Sequence, residues 1–153
     1  MALNRIKIAK DKANLVKMLV ASNDTTISSF QTYADLIVFA AALGAKRKKR
    51  IPLKEVSKSD PDPIPQEHFI SKGYELIIKL LAIAEYHDKK ILDNSEEYDN
   101  QRIKIFEEYA NGGLEILQEE LRGSVDHIER ILLFMSSEKD SYSEVEFDLS
   151  KFI

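Results

Sequence analysis

Residues 27–50 constrain the fold more than any other part of this 153-residue chain. Between Tyr33 and Leu43 only Asp35 is polar, so a helix formed there carries apolar side chains on every face. Helices that are apolar all round are buried on most sides. The segment therefore predicts a central buried helix, with Phe39 among its core side chains.

Local signals mark the expected ends of this helix. Ser28 or Ser29 can act as the N-cap, and Gly44 can take the left-handed conformation that ends many helices. Five cations then follow without interruption. We call them the basic run: Lys46, Arg47, Lys48, Lys49 and Arg50.

The basic run has two interpretations. One or two cations near a helix C-terminus complement the helix dipole, and each contributes less than about 1 kcal/mol. Five in succession exceed that need, and so concentrated a positive charge attracts anions such as DNA phosphates. We predict that the basic run binds the DNA backbone, and a solvated structural role is the alternative.

Charge is unevenly distributed along the chain, although the net charge is only −4. Residues 1–58 hold 12 Lys and Arg against 4 Asp and Glu, whereas residues 107–153 hold 4 against 12. A nucleic-acid contact on one face and a protein contact on another would produce this asymmetry. Ion pairing between the two ends of the chain would produce it as well.

Length and composition favour a single domain over residues 1–153. With 44% hydrophobic residues, the chain can build a core without a metal or disulfides. It has no cysteine, which is compatible with a reducing cytosol. The N-terminus lacks the apolar core of a signal peptide, and the longest apolar stretch, Leu36–Leu43, is too short to cross a bilayer. We expect a cytoplasmic protein without membrane contact.

The chain begins with an alternating stretch at residues 3–9. Ile6 and Ile8 fall on one face of a short strand, and Arg5 and Lys7 fall on the other. An amphipathic helix and a turn follow before the central helix. This order is typical of ribbon-helix-helix DNA binders, in which strands of two chains pair in the major groove. In such a protein Arg5 and Lys7 would contact DNA.

Helical periodicity dominates the acidic part of the chain, residues 67–136. One helix is predicted from 67 to 88, with Gly73 tolerated inside it. The stretch 94–97 can form a capping box for the next helix. From there apolar residues keep one helical phase as far as residue 135, across three glycines. We therefore predict one long helix, kinked or briefly interrupted at the glycines.

Two stretches do not fit a helix. Residues 51–66 contain all four prolines, which predicts a stiff, extended connection. In the acidic tail, residues 137–153, acids alternate with Val145, Phe147 and Leu149, as in a strand. The predicted fold is mainly α, with four to five helices around a central buried helix and short N- and C-terminal strands that can pair.

The residue patterns of known catalytic chemistry do not occur in the chain. His68, His87 and His127 each lack an acidic residue three positions earlier, so the Glu-x-x-His pairs of di-iron bundles are missing. There is no P-loop, dinucleotide fingerprint or Gly-x-Ser-x-Gly elbow. We predict a protein that is not an enzyme, with no metal and no cofactor.

The paired acids Glu107–Glu108 and Glu119–Glu120 have a structural interpretation. Adjacent helical residues point about 100° apart, so one acid of each pair is expected to face water. Gly112–Gly113 lies in the same helix, where close helix packing or a kink is favoured over a ligand contact.

Four stretches carry a resemblance to a known family: 5–12 (RIKIAKDK), 30–44 (FQTYADLIVFAAALG), 69–74 (FISKGY) and 107–121 (EEYANGGLEILQEEL). Together they resemble the small accessory proteins encoded beside bacterial DNA phosphorothioation systems, the Dnd-system-associated family. The resemblance spans about residues 4–135. It implies a role in DNA modification, or in the restriction that depends on it, where partner enzymes replace oxygen by sulfur in the DNA backbone. It supplies no catalytic residues.

The sequence therefore predicts a non-catalytic accessory protein of a bacterial DNA phosphorothioation system, one that is DNA-associated or builds complexes. Its expected partners are the DNA backbone and proteins of that system, and a homo-oligomer is left open. One alternative is a ribbon-helix-helix-like transcriptional regulator of the same locus, because the first third also resembles the small DNA-binding subunit of these systems. Another is a protein-only adaptor that does not bind DNA.

Overall fold

Two long helices, one from each half of the chain, form the centre of the fold. The computed structural model describes residues 4–20, 30–123 and 127–143. In chain order its elements are β1 (Arg5–Ile6), α1 (Ala13–Leu19), α2 (Tyr33–Lys46), β2 (Ile64–Pro65), α3 (Gln66–Ser71), α4 (Glu75–Tyr86), α5 (Glu96–Leu121) and α6 (His127–Ser143), with 3-10 turns at Lys10–Lys12 and Lys89–Leu92. The mainly α fold class is confirmed.

The helix α2 is the buried helix that the sequence predicts. Leu36, Ile37 and Ala40 are almost completely buried, and α5 packs along the helix. Phe39 is only half-buried, at the rim of the core, where its ring centroid lies 5.4 Å from that of Phe30. Full burial of Phe39 was therefore a wrong expectation, because its ring packs against Phe30, which is itself only partly buried.

The ends of α2 differ from those predicted. Thr32 is the N-cap, and its hydroxyl accepts a hydrogen bond from the backbone N–H of Asp35 at 3.2 Å. The two serines predicted for this role lie outside the described residues. Gly44 does not end the helix but is buried within its last turns, and the chain turns away at Lys48, whose φ is 55°.

Glycines allow the backbones of α2 and α5 to approach closely. A Cβ at Gly44 would lie 2.1 Å from the carbonyl oxygen of Tyr109, and one at Gly112 would lie 1.9 Å from that of Lys49. Real Cβ atoms essentially never make such short contacts. The close packing expected for the glycine pair of α5 is therefore present.

The helix predicted from 67 to 88 is divided into α3 and α4. Gly73 lies between them with a φ of 80°, a left-handed conformation that is strained for other residues. Gly73 thus ends α3 instead of being tolerated inside a single helix. At the far end, His87 also takes a left-handed φ, 62°, as the C-cap of α4.

The long helix predicted in the acidic half is α5 followed by α6. Ser95 caps α5 by accepting the N–H of Tyr98 at 3.2 Å, one residue later than the predicted capping box. The helix α5 runs unbroken through both glycines of its middle and ends before Gly123, whose φ is 77°. Because α6 continues to Ser143, the helical part extends beyond residue 136.

The proline-rich connection contributes the second strand. Residues 51–63 contain no helix, and β2 follows them and pairs with β1 in antiparallel register, with Arg5 opposite Pro65 and Ile6 opposite Ile64. The C-terminal segment that was predicted to pair with the N-terminal strand lies outside the described residues.

Candidate nucleic-acid interface

The strand β1 and the two residues that follow it present their cations to solvent and their apolar residues to the core. Ile6 and Ile8 are at most 2% exposed, whereas Arg5 and Lys7 are exposed on the opposite side. This is the alternation that the sequence predicts. The two cations therefore stand on a rigid support, because their buried neighbours fix the strand.

Both edges of β1 are occupied within the chain. One edge pairs with β2, and on the other the backbone N–H of Lys7 donates to Oε2 of Glu107 at 2.5 Å. A second chain would have to displace one of these partners to pair with the strand. This arrangement argues against the two-chain ribbon on which the regulator alternative depends.

A groove of about 720 Å³ lies between β1, the proline-rich connection and α5. We call it the β1–α5 groove. Arg5, Lys7 and Lys104 line it, and all three are exposed. Within the described residues none of them forms an ion pair, although Arg5 donates a long hydrogen bond of 3.4 Å to the carbonyl oxygen of Pro63. The groove therefore gathers three cations that are available to an anion.

Sequence reasoning found two of these cations and missed the third. Lys104 follows Asn100 by one helical turn on α5, and both line the β1–α5 groove. The available signal was that Lys104 is a cation within a strongly acidic segment. The sequence did not show that this part of α5 faces β1.

Two acidic residues, Glu107 and Glu108, also line the groove, and Glu108 is paired with Arg50. Glu107 has no ion-pair partner in the described part of the chain. Burial raises its pKa to about 7, although the hydrogen bond from the backbone of Lys7 and the charge of Lys7 lower it, and the neighbouring Glu108 raises it further. Near neutral pH the side chain is therefore partly protonated. Glu107 and Glu108 are 8% and 7% exposed, so the expectation that one of them faces water was wrong. The reason is that both are held by other parts of the chain, Glu107 by the backbone of Lys7 and Glu108 by the guanidinium of Arg50.

The basic run contacts carboxylates of its own chain. Lys46 binds Glu138 on α6 at 2.7 Å, and Arg47 binds the same carboxylate. Lys49 binds Glu115 on α5 at 2.9 Å. These contacts join the end of α2 and the residues after it to α5 and α6.

Arg50 forms ion pairs with two carboxylates. Its guanidinium contacts Glu108 at 2.7 Å and Glu85 at 2.9 Å, and the hydroxyl of Tyr109 also donates to Glu85. Burial raises the pKa of Tyr109 to about 12, and the Glu85 hydrogen bond adds to the effect. Arg50 thus links the segment that follows α2 to α4 and α5.

Four of the five cations in the basic run are therefore already in ion pairs. Only Lys48 has no ion-pair partner in the described part of the chain, and it is exposed. A DNA phosphate would have to compete with carboxylates for the other four. The polarised charge of the sequence is thus partly neutralised inside the molecule, as the second explanation of that asymmetry required.

The described residues include no group of three or more His, Asp or Glu side chains placed to hold a metal ion. His68 and His87 are exposed and lie on separate elements. The side chain of His127 lies outside the described part. In the same described part, no helix combines the length and the apolar character needed to cross a bilayer.

The family model for DNA sulphur modification system-associated protein 4 matches residues 5–152. The chain belongs to this family. The match covers nearly the whole sequence and confirms the resemblance found from the four stretches. The match associates the protein with a DNA sulphur modification system. The matched range includes the three cations of the β1–α5 groove and the basic run. No curated protein and no solved structure is a significant match to the chain.

Proposed function

We propose that this protein is a non-catalytic accessory of a DNA phosphorothioation system that contacts the DNA backbone electrostatically through the β1–α5 groove. The observation that carries the proposal is that Arg5, Lys7 and Lys104 line one groove without ion-pair partners in the described part of the chain. Free cations can release the counterions of DNA when they meet its phosphates. Four cations of the basic run, by contrast, would have to break ion pairs with carboxylates before they could bind DNA phosphates.

The accessory role fits the family description, which names a system-associated protein. The net charge of −4 limits electrostatic contact with DNA to a local cationic surface. A small cationic groove of this kind gives weak, sequence-independent binding that partners can reinforce. Three phosphate contacts predict that log affinity falls with log salt at a slope of about −2.7 on duplex DNA.

Fluorescence anisotropy with a random-sequence duplex at low salt tests this proposal. The double variant Lys7→Gln/Lys104→Gln should bind more weakly, and its salt slope should flatten to about −0.9. The matched control is Lys89→Gln/Lys90→Gln, which removes the same charge from two exposed lysines outside the groove. The control should keep the wild-type slope. Equal slopes for both variants would mean that the groove does not bind DNA.

A protein-only adaptor is the second candidate. It is favoured by α4, where Leu76 and Leu80 are 64% and 54% exposed and lie one turn apart on a helix face that no other described element covers. Exposed leucines on one face are typical of a contact with another protein. An adaptor of this kind would not bind DNA even at low salt, whereas the DNA-associated accessory would bind DNA at low salt and release it as the salt concentration rises.

A further inference from the structure

The β1–α5 groove combines its cations with an apolar wall. Leu53 and Val56 of the proline-rich connection are half-buried, and Ile103 of α5 is buried, and all three line the groove. Asn4 and Asn100 line it as well, but the Asn4 amide nitrogen donates to Asn100 and to Asp99, both at 2.8 Å. The groove therefore offers positive charge beside a surface that donates few hydrogen bonds.

Such a lining suits one chemical form of the DNA backbone better than another. An ordinary phosphodiester has two non-bridging oxygens, and an oxygen turned toward an apolar wall loses its water without gaining a donor. In a phosphorothioate diester one of these oxygens is a sulfur, which is larger, more polarisable and a weaker hydrogen-bond acceptor. The negative charge is retained, so the remaining oxygen can still face the cations.

We propose that the β1–α5 groove prefers phosphorothioate over ordinary phosphodiesters, with sulfur against Leu53, Val56 and Ile103 and oxygen toward Lys7, Lys104 and Arg5. This inference rests on the proposed DNA contact and adds a substrate preference to it. The expected preference is about fourfold, the effect of burying roughly one methylene equivalent. Because the groove is chiral, it should favour one of the two configurations at phosphorus.

The test uses the full-length protein and three duplexes of one sequence, either unmodified or with a single phosphorothioate in one or the other configuration. Anisotropy titrations at low salt should give tighter binding to one configuration. Val56→Thr places a hydroxyl in the wall at nearly constant volume and should make binding to all three duplexes equal, because the wall then offers a hydrogen-bond donor to oxygen. Leu53→Asn is the second wall variant, and Leu80→Asn on α4 is the control, which should keep the preference.

The possible outcomes separate this inference from the proposed function. Salt-dependent binding that is equal for all three duplexes overturns the sulfur preference and leaves the DNA contact standing. If the wild type shows no salt-dependent binding to any of the three duplexes, both the sulfur preference and the proposed DNA contact are overturned. A preference that persists in both wall variants also rejects the inference, because sulfur would then be recognised elsewhere. Thermal melting of each variant shows whether it is folded.

Discussion

Gly113 of α5 lies directly against the backbone carbonyl of Ala40 in α2, so that a Cβ at position 113 would stand 1.7 Å from the carbonyl oxygen. The obstructing atom belongs to a buried helix and cannot turn away as a side chain could. This contact sets the distance between the two central helices. It also brings the end of α2 within reach of the carboxylates that bind the basic run.

Gly113→Ala should destabilise the fold by about 3 kcal/mol or more, because overpacking against backbone outweighs the helix propensity gained from alanine. Urea denaturation measures the loss. The control is Gly123→Ala, where nothing lies within 4 Å of the added methyl and only the positive φ of 77° is unfavourable, at about 1–2 kcal/mol. A loss below about 1 kcal/mol for Gly113→Ala would show that the helices separate easily.

The sequence predicted the buried helix α2 correctly but placed its end wrongly, and the reason lies in the role of Gly44. An apolar run such as Leu36 to Leu43 is a local signal of burial, and the structure confirms it. Gly44 was interpreted locally as well, as a helix terminator. Its actual role is a contact with Tyr109, which is distant in sequence, and no periodicity within α2 indicates that contact.

In the candidate site, too, local sequence patterns predicted some features, whereas contacts between distant residues could not be predicted. Alternation places Arg5 and Lys7 on one face of a strand without any tertiary information. The pairing of Arg50 with Glu108, 58 positions away, and of Lys46 with a carboxylate 92 positions away depends on how whole helices pack. Overall charge asymmetry suggested such pairing but could not select the partners. Lys104 was missed for the same reason.

Phe106 should be the most sensitive aromatic core position. It is fully buried on α5, and its ring meets Phe69 edge-on with centroids 5.5 Å apart. Phe106→Ala should cost about 3–5 kcal/mol, and Phe39→Ala only about 1–2 kcal/mol because Phe39 is half-buried. Urea denaturation of both variants decides the order. If Phe39→Ala costs more, the centre of the core lies on the other side of α2.

Arg50 and Lys48 should differ sharply in their contribution to stability. Arg50→Ala leaves Glu108, whose side chain is 9% exposed, without its cation, which should cost about 2–3 kcal/mol. Lys48→Ala removes an exposed charge with no ion-pair partner in the described residues, and should change stability by less than about 0.5 kcal/mol. The melting temperatures of the two variants measure this difference in stability. Equal, small effects would favour solvated cations throughout the run.

Glu107 should make the folded state less stable as pH rises. Its folded pKa of about 7 lies above the ordinary 4.5, so between these values the unfolded chain binds fewer protons than the folded one. The free energy of unfolding then falls with rising pH across that window, by up to about 3 kcal/mol. Glu107→Gln should match the wild type near pH 4.5, exceed its stability at pH 8, and lack this dependence. Urea denaturation at several pH values measures it.

The same residue should make DNA binding sensitive to pH. A phosphate in the β1–α5 groove would lie near Glu107 and disfavour its ionised form, while Lys7, Lys104 and Arg5 attract the phosphate and Glu108 remains paired with Arg50. The wild type should therefore bind duplex DNA more weakly at pH 8 than at pH 6, and Glu107→Gln should bind equally at both. Anisotropy titrations at constant salt measure this difference. If the wild type and Glu107→Gln weaken equally between pH 6 and pH 8, the phosphate does not approach Glu107, and the DNA contact would have to involve cations outside this groove.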